Sequence, residues 1–515
     1  MSTAVLASLL ENGAQLEMRR GLAGVIAASV DPRALEQLTE TFARNRDARL
    51  ADLFATARRD QPSIDLRVVY ALDREDRYVV LRCPVDGDVL PALSELDPAA
   101  FVEECEIYEE FGIRPSSDKP LNRVHMAPNV QDTFTRLQPV VREELTYEHA
   151  PHVIEGQAFE FPFGPIRAAG WESLYMGLVT TGEELLDLYL FHWHKHRATE
   201  RRMIGASLEQ VLFWAERVEG LCAVGNATAF SQAAESAAGA PVSKPGARIR
   251  LVALELERIY NHTAAIAMMC QTTGLSVGQA NIEIVLEQLL RCNLAAFGHR
   301  YLFGVVCPGG ARRAPDIGAL RGQLPDACEK LERVTAALMR TNSFVDRLEA
   351  TGIVTTEDAC RLGLVGPVAR ASGIAVDLRR DHPQWPYDEC DPCVASAASG
   401  DALTRMQVMC EEVRQSCGLV LTQLDQIDPD AETATTWPPS ALAGRDGLGW
   451  AESARGEALA WLSFDEFGRI ARARLRPASA RNWRAFDEAA RARNVFTDIP
   501  IIEASFWLTV AGVAR

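Results

Sequence analysis

The stretch "ERVEGLCAVGNA" puts Arg217, Glu219, Cys222 and Asn226 in one short run. Glu219 and Cys222 stand three residues apart, so on a helical turn they share a face and can point at one centre. A thiol is a soft ligand and a carboxylate a hard one, so the pair poses a choice between a metal site and acid–base work. Cys222 taken alone reads first as a small buried apolar side chain. In "HWHKH", His192, His194 and His196 alternate and would share one face of a strand, which invites a metal reading. Cys390 and Cys393 form the only C-x-x-C; no second pair follows at zinc spacing, so a polar loop with two free thiols is the reading. No P-loop, G-x-G-x-x-G or H-E-x-x-H occurs, which leaves nucleotide binding and zinc-protease chemistry without support.

The elements that must position these residues show in the hydrophobic pattern. Residues 1–60 read as helix, with Ala, Leu and charges at helical spacing. "SIDLRVVYAL" and "RYVVLRCPV" alternate around the charged turn "DREDR", a β-hairpin. "VEECEIYEEFG" predicts an acidic helix stopped by Gly112. From about residue 150 the chain reads as strands with glycine turns, up to "HWHKHR". Residues 198–350 then carry long helical periods, broken at "AAGAPVSKPGA" and "CPGGARRAP". Several long antiparallel helices imply a bundle, and "ALTRMQVMCEEVRQSCGLVLTQLDQI" adds another helix. "GRIARARLRP" and "IPIIEASFWLTVAGVAR" read as strands, and "DAETATTWPPSALAGRDG" as a surface loop. The fold class expected is α+β: a small N-terminal α+β domain, then a β-rich region packed on a long antiparallel helix bundle.

Composition bounds the function. At 515 residues, two or three domains are expected. With 48% hydrophobic and 24% charged residues the chain can bury sizeable cores. A formal charge of -17 argues against nucleic acid or an anionic membrane surface as a direct partner. No run approaches the ~20 apolar residues that span a bilayer. The N-terminus lacks the order of charges of a signal peptide, so a cytoplasmic protein is expected, with any membrane link made through partners. Twelve scattered cysteines suggest reduced thiols.

Several motifs, in order, carry a family resemblance. "EIYEEFGIRPSSDKPLNRV" resembles the small hydrophilic subunit of respiratory complex I. "FGPI", "HRATE", "LELERIYNH", "GHRYLFGVVCPGGARR", "GPVARASGIAVDLRRDHP", "RARLRPASARNW" and "FTDIPIIEASF" resemble the quinone-site subunit of complex I and its relative, the large subunit of energy-converting membrane-bound [NiFe] hydrogenases. Both pieces in one chain resemble the fused large subunit of formate-hydrogenlyase-type complexes, with domains at 1–130 and 131–515. The resemblance implies a site in a cleft between the β region and the bundle, beside an iron–sulfur cluster held by a partner subunit.

The resemblance also places the chemistry. The family's nickel ligands are four thiolates, from R-x-C-G-x-C and a C-terminal C-x-x-C. Here Glu219 takes the first position, Cys222 keeps the second, and "SFWLTVAGVAR" puts Thr509 and Gly512 at the others. A nickel–iron centre is therefore not expected, nor any other metal. In the complex I pattern Gly220 falls on the quinone-site tyrosine, while His196 is kept. Glu200, in the "HRATE" loop, is expected to handle protons, its pKa raised by desolvation, with Glu219 as a second carboxylate in the same cleft. Arg217, Cys222, Asn226 and Arg370 are implied near the site. The function expected is a hydrogenase-related, complex I-like oxidoreductase subunit with proton-coupled electron transfer, its acceptor quinone-like. The alternative is a non-redox coupling subunit of an ion-translocating complex. Implied partners are an iron–sulfur small subunit and membrane antiporter-like subunits.

Overall fold

The computed structural model describes residues 25–125, 158–491 and 494–515, apart from 45–47, 58–63, 88, 123 and 168–171, together with residues 9, 11, 13–17, 132–134 and 139–141. The predicted hairpin is present: Ile64–Leu72 pairs antiparallel with Arg77–Val85, Ile64 opposite Val85. It is the middle of a five-stranded sheet in which Val25–Ser29 runs parallel to Arg77–Val85 and Ala48–Ala57 pairs with Ile64–Leu72. The helical reading of residues 1–60 is thus corrected: Pro32–Arg44 is helix, and Val25–Ser29 and Ala48–Ala57 are strands. The reason is burial on both faces. In "ARLADLFATA", Leu53 and Ala55 pack in the domain's own core, whereas Ala51 and Phe54 pack against Trp461 of a second sheet. Small side chains suit that two-sided packing, and tertiary contact overrides alanine's helix propensity.

The second sheet is the meander Asp446–Ser453, Gly456–Phe464 and Ile470–Arg476. Its outer strand lies on the helix Ala223–Ala238. Gly447 and Gly449 permit the approach, since a Cβ there would come within 1.9 Å of the Ala233 carbonyl oxygen and 2.1 Å of that of Ala229. Behind it stand the bundle helices Lys244–Thr272, Ser276–Phe297, Ile317–Leu338 and Ala402–Leu424. Cys328 and Cys417 are joined by a disulfide between the last two, which corrects the expectation that all thiols are reduced. A third sheet, Phe159–Phe163, Tyr175–Thr180 and Leu185–Phe191, follows the predicted strand region. "IPIIEASF" is helix, Ile499–Phe506, and not strand: Pro500 sits in its first turn, Ile501 is buried in the bundle core, and Ile499 and Ile502 pack on the other side with Trp483 and Phe486. Among the described residues no helix is long and apolar enough to cross a membrane.

The two halves of the chain meet across a layer of buried charge. The acidic helix Phe101–Phe111 ends at Gly112 in the left-handed region, φ +73°. Its Glu103, Glu104, Glu106 and Glu109 are all buried. Opposite it, Arg472, Arg474 and Arg476 alternate along Ile470–Arg476, so a period of two aims them at one face. Arg474 bridges Asp52 at 3.0 Å and Glu106 at 2.7 Å. Arg472 reaches Glu110 at 2.7 Å, and Glu103 accepts from both Arg476 and Arg484. Burial works to raise the Glu103 pKa; Arg476, Arg484 and Arg481 outweigh it and bring it down to about 2.

A carboxylate held below its ordinary value stabilises the fold only while the unfolded state would also be ionised. The Glu103 contribution is therefore complete at neutral pH, declines below the ordinary 4.5, and is gone below about 2. Glu103→Gln leaves buried arginines short of a partner and should cost about 3–5 kcal/mol at neutral pH. Urea denaturation across this range should show the acid limb flattened in the variant.

Candidate functional site

Glu219 lies where the helix Leu208–Ala215 has ended and the helix Ala223–Ala238 has not begun; Gly220–Cys222 is a single 3-10 turn between them. Cys222 N donates to the Glu219 carbonyl at 2.9 Å, so the two residues share a turn as predicted. The bundle holds this turn from one side. Tyr260 Oη and Asn261 Nδ2 donate to the Leu221 carbonyl at 3.0 and 2.6 Å. The Glu257 carboxylate accepts from the N–H groups of Val224 and Gly225 at 2.7 and 2.9 Å, satisfying donors that a helix start leaves open. Burial raises the Glu257 pKa to about 8, the two N–H groups offsetting part of it.

The carboxyl-terminal segment closes the other side. Thr509 Oγ1 donates to Glu219 Oε1 at 2.6 Å. A Cβ on Gly512 would approach the same oxygen to 2.7 Å. Glu219 Oε2 is buried and has no partner among the described residues. Cys222 Sγ accepts from Arg455 Nη1 at 3.1 Å, and Arg455 Nε donates to the Trp507 carbonyl. Burial pushes the Cys222 thiol up to about 12, with Arg455 pulling the other way. Positions 219, 222, 509 and 512 therefore converge, as one site, around a carboxylate, a thiol and a guanidinium. Arg197 stitches the halves together: its terminal nitrogens donate to the carbonyls of Arg217, Val218 and Ala511 at 2.9, 2.7 and 2.6 Å.

Directly beside this cluster is a cavity of about 690 Å³. Leu221, Met268, Tyr301, Phe303, Trp483 and Trp507 are among its walls, and Arg167, Glu172, Arg455, Glu503 and Thr509 are its main polar members. Arg167, on the loop after Phe159–Phe163, makes a bidentate pair with Glu503 at 2.6 and 2.8 Å.

The other predicted residues lie elsewhere. Glu200 belongs to the charged layer: its Oε1 accepts from Arg515 Nε at 3.0 Å and from Leu475 N at 2.9 Å. Burial does act to raise its pKa, but Arg474, Arg515 and Arg472 outweigh it. The expectation of a raised pKa is thus corrected; Glu200 is held ionised. His196 is exposed, its ring 5.3 Å from that of His125. Arg217 points outward and stacks on Phe213 and Phe303, 3.5 and 4.8 Å from the ring centres. Asn226 is buried in the helix behind Cys222, its Nδ2 without a partner among the described residues. Arg370 is fully buried in a separate bundle network, paired to Glu412 at 2.7 Å and Glu452 at 2.9 Å. "HWHKH" follows the strand Leu185–Phe191 instead of lying on it, so its histidines do not share a strand face. No group of three or more ligating side chains fit for a metal occurs among the described residues. Glu257, Arg197 and Arg455 are functional residues of this cluster beyond the sequence-based candidates. The signal for Glu257 is an acidic residue inside the apolar run of "LELERIYNH", and Arg197 lies in the "HRATE" motif; nothing local marks Arg455.

Residues 28–141 match the family described as the 30 kDa subunit of respiratory-chain NADH dehydrogenase, and residues 285–446 that of its 49 kDa subunit. The chain is 26% identical to formate hydrogenlyase subunit 5 of Escherichia coli strain K12, over 85% of this chain and 80% of that protein. It is likewise 26% identical to hydrogenase-4 component G of the same strain, over 98% and 90%. It is 26% identical to one of the NADH-quinone oxidoreductase subunits of Roseiflexus sp. strain RS-1, over 70% of this chain and all of that protein.

The contact between Gly512 and Glu219 gives a packing test. Gly512→Ala should destabilise by about 1–3 kcal/mol through overpacking. Adding Glu219→Ala should relieve the overlap, so the double variant should be more stable than the summed single effects. Chemical denaturation of the four proteins measures this; strict additivity would mean the two residues are not in contact.

Proposed function

We propose, from the premise that this chain fuses the 30 kDa and 49 kDa domain types of respiratory-chain NADH dehydrogenase in one polypeptide, that it is the large subunit of a complex I-like, hydrogenase-related oxidoreductase assembly. In this reading the domains divide near residue 130. The subunit supports proton-coupled electron transfer without a nickel–iron centre, and its acceptor is quinone-like. It works on the cytoplasmic side of a membrane, bound through an iron–sulfur small subunit and antiporter-like membrane subunits.

The donor set does not fit nickel and iron. Those metals at this kind of site need soft thiolates. Here one position has no side chain, one is a neutral hydroxyl, and one is a carboxylate already bonded to that hydroxyl. The remaining thiol is kept protonated by burial and is engaged by Arg455. The observation that carries the quinone-like reading is the cavity beside this cluster. Its volume of about 690 Å³, aromatic walls and few polar groups suit a flat apolar ligand with a small polar head. Glu257, behind the cavity wall and raised to about 8 by burial, is the carboxyl group suited to exchanging protons, with Glu219 as the second carboxyl group of the cluster. Glu200 and His196 contribute to the seam and to the outer face. Cys222, Asn226, Arg217 and Arg370 support the surrounding elements.

A second reading, a coupling subunit without redox work, draws on a different observation. Glu219, Thr509 and Gly512 lock the cavity wall to the same segment that Arg515 ties to the interdomain charges. A movement of one would be transmitted to the other.

Purifying the intact complex and measuring nickel, iron and extractable quinone together separates these readings. The first expects iron and quinone without stoichiometric nickel; iron without quinone, and no quinone reduction, would favour the second. Nickel near one per chain would overturn both. Glu219→Cys should restore no hydrogen uptake, because the other thiolates are absent.

A further inference from the structure

Arg455 occupies an unusual position for a guanidinium. It sits in the two-residue turn between Asp446–Ser453 and Gly456–Phe464. That turn is fixed: Arg258 donates to the carbonyls of Glu452 and Ser453 at 2.9 and 3.2 Å, and Asn482 Nδ2 to that of Arg455 at 3.4 Å. Gly366 packs so close that a Cβ would lie 2.1 Å from the Arg455 carbonyl oxygen. The side chain is aimed from this rigid base and is only 3% exposed. Two of its nitrogens are engaged, Nε by the Trp507 carbonyl and Nη1 by Cys222 Sγ. Nη2 has no hydrogen-bond partner among the described residues, and Arg455 is part of the wall of the large cavity. The other cavity guanidinium, Arg167, is taken up bidentately by Glu503.

We propose that Arg455 is the head-group donor of this cavity: its Nη2 hydrogen-bonds a carbonyl oxygen of a flat, conjugated cyclic diketone whose ring lies against Trp507 and the neighbouring apolar walls. The assignment rests on the reading of the cavity as a ligand site and names the residue that gives it specificity. Cys222 and the Trp507 carbonyl hold the guanidinium plane, so its free N–H is directed before a ligand arrives. Arginine keeps this donor at every physiological pH. Gly220, in the same wall, brings no side-chain donor.

The test compares duroquinone with durene, a flat ring with the same four methyl groups and no carbonyl oxygens. Duroquinone has no open ring position at which a cysteine thiol could add. Binding to the full chain is measured by equilibrium dialysis. A hydrogen bond from a charged donor predicts that duroquinone binds about tenfold to a hundredfold tighter than durene. Arg455→Met should remove that preference and leave durene binding unchanged. If Arg455→Met does not fold, judged by thermal melting, Arg455→Lys takes its place and should lose most of the preference, because a lysine cannot keep the Cys222 and Trp507 bonds while reaching the ligand. Equal binding of the two probes to the wild type overturns the proposal, as does a folded variant that retains the preference; in either case the cavity reading survives. Binding of neither probe overturns the cavity reading and this one together. Leu221→Trp, which fills the cavity, should abolish binding of both, and unchanged binding would place the probes elsewhere and overturn both readings.

Discussion

Arg515 donates from one terminal nitrogen to both oxygens of Glu106 at 2.9 and 3.0 Å, and from Nε to Glu200 at 3.0 Å. It is almost without solvent contact. Glu106 lies on the acidic helix of the first domain, Glu200 at the entrance to the second, and Arg515 on the segment that carries Thr509 and Gly512. Three separate parts of the chain are thus registered by one guanidinium. Breaking that register would leave charges buried and unpaired, which costs far more than the pair gains over an apolar substitute. The interaction is better understood as fixing one arrangement than as adding stability.

The site inherits its order from this anchor. With Arg515 and Arg197 holding the carboxyl-terminal segment, Thr509 and Gly512 are brought to within bonding and contact distance of Glu219. The three residues are mutually dependent. A carboxylate at 219 needs a hydroxyl to satisfy one oxygen, and it needs glycine at 512 because its own oxygen occupies the space of a side chain. On the opposite side Arg455 supplies positive charge next to the thiol of Cys222. The cluster lies beside an apolar cavity, and its few polar groups are directed by rigid turns.

Charge is used in the same way in the bundle. Arg258, Arg370 and Arg379 are buried among Glu255, Glu412, Glu452 and Asp377. Arg258 also holds the turn from which Arg455 projects. The bundle, the meander and the cavity are therefore coupled through backbone carbonyls that arginines grip from behind. The relatives with hydrogenase names and those with NADH-quinone oxidoreductase names cover overlapping parts of this chain.

Patterns that repeat locally were legible in the sequence. The hairpin at 64–85, the acidic helix and its glycine stop, the bundle helices and the strand of alternating arginines all follow from periodicity and turn chemistry. The convergence of 219, 222, 509 and 512 was available only through family resemblance, since residues nearly 300 positions apart leave no local trace. What local reading missed were elements whose environment, not composition, decides them. Ala48–Ala57 is a strand because both faces are covered, and Ile499–Phe506 a helix whose isoleucines are buried in two different cores, Ile501 in the bundle and Ile499 and Ile502 beside Trp483. Likewise Glu200 is a carboxylate in a closed place, which by desolvation alone would bind a proton. Only the fold reveals the three arginines that keep it ionised, because Coulomb interactions depend on distance in space, and distance in space is what tertiary structure sets.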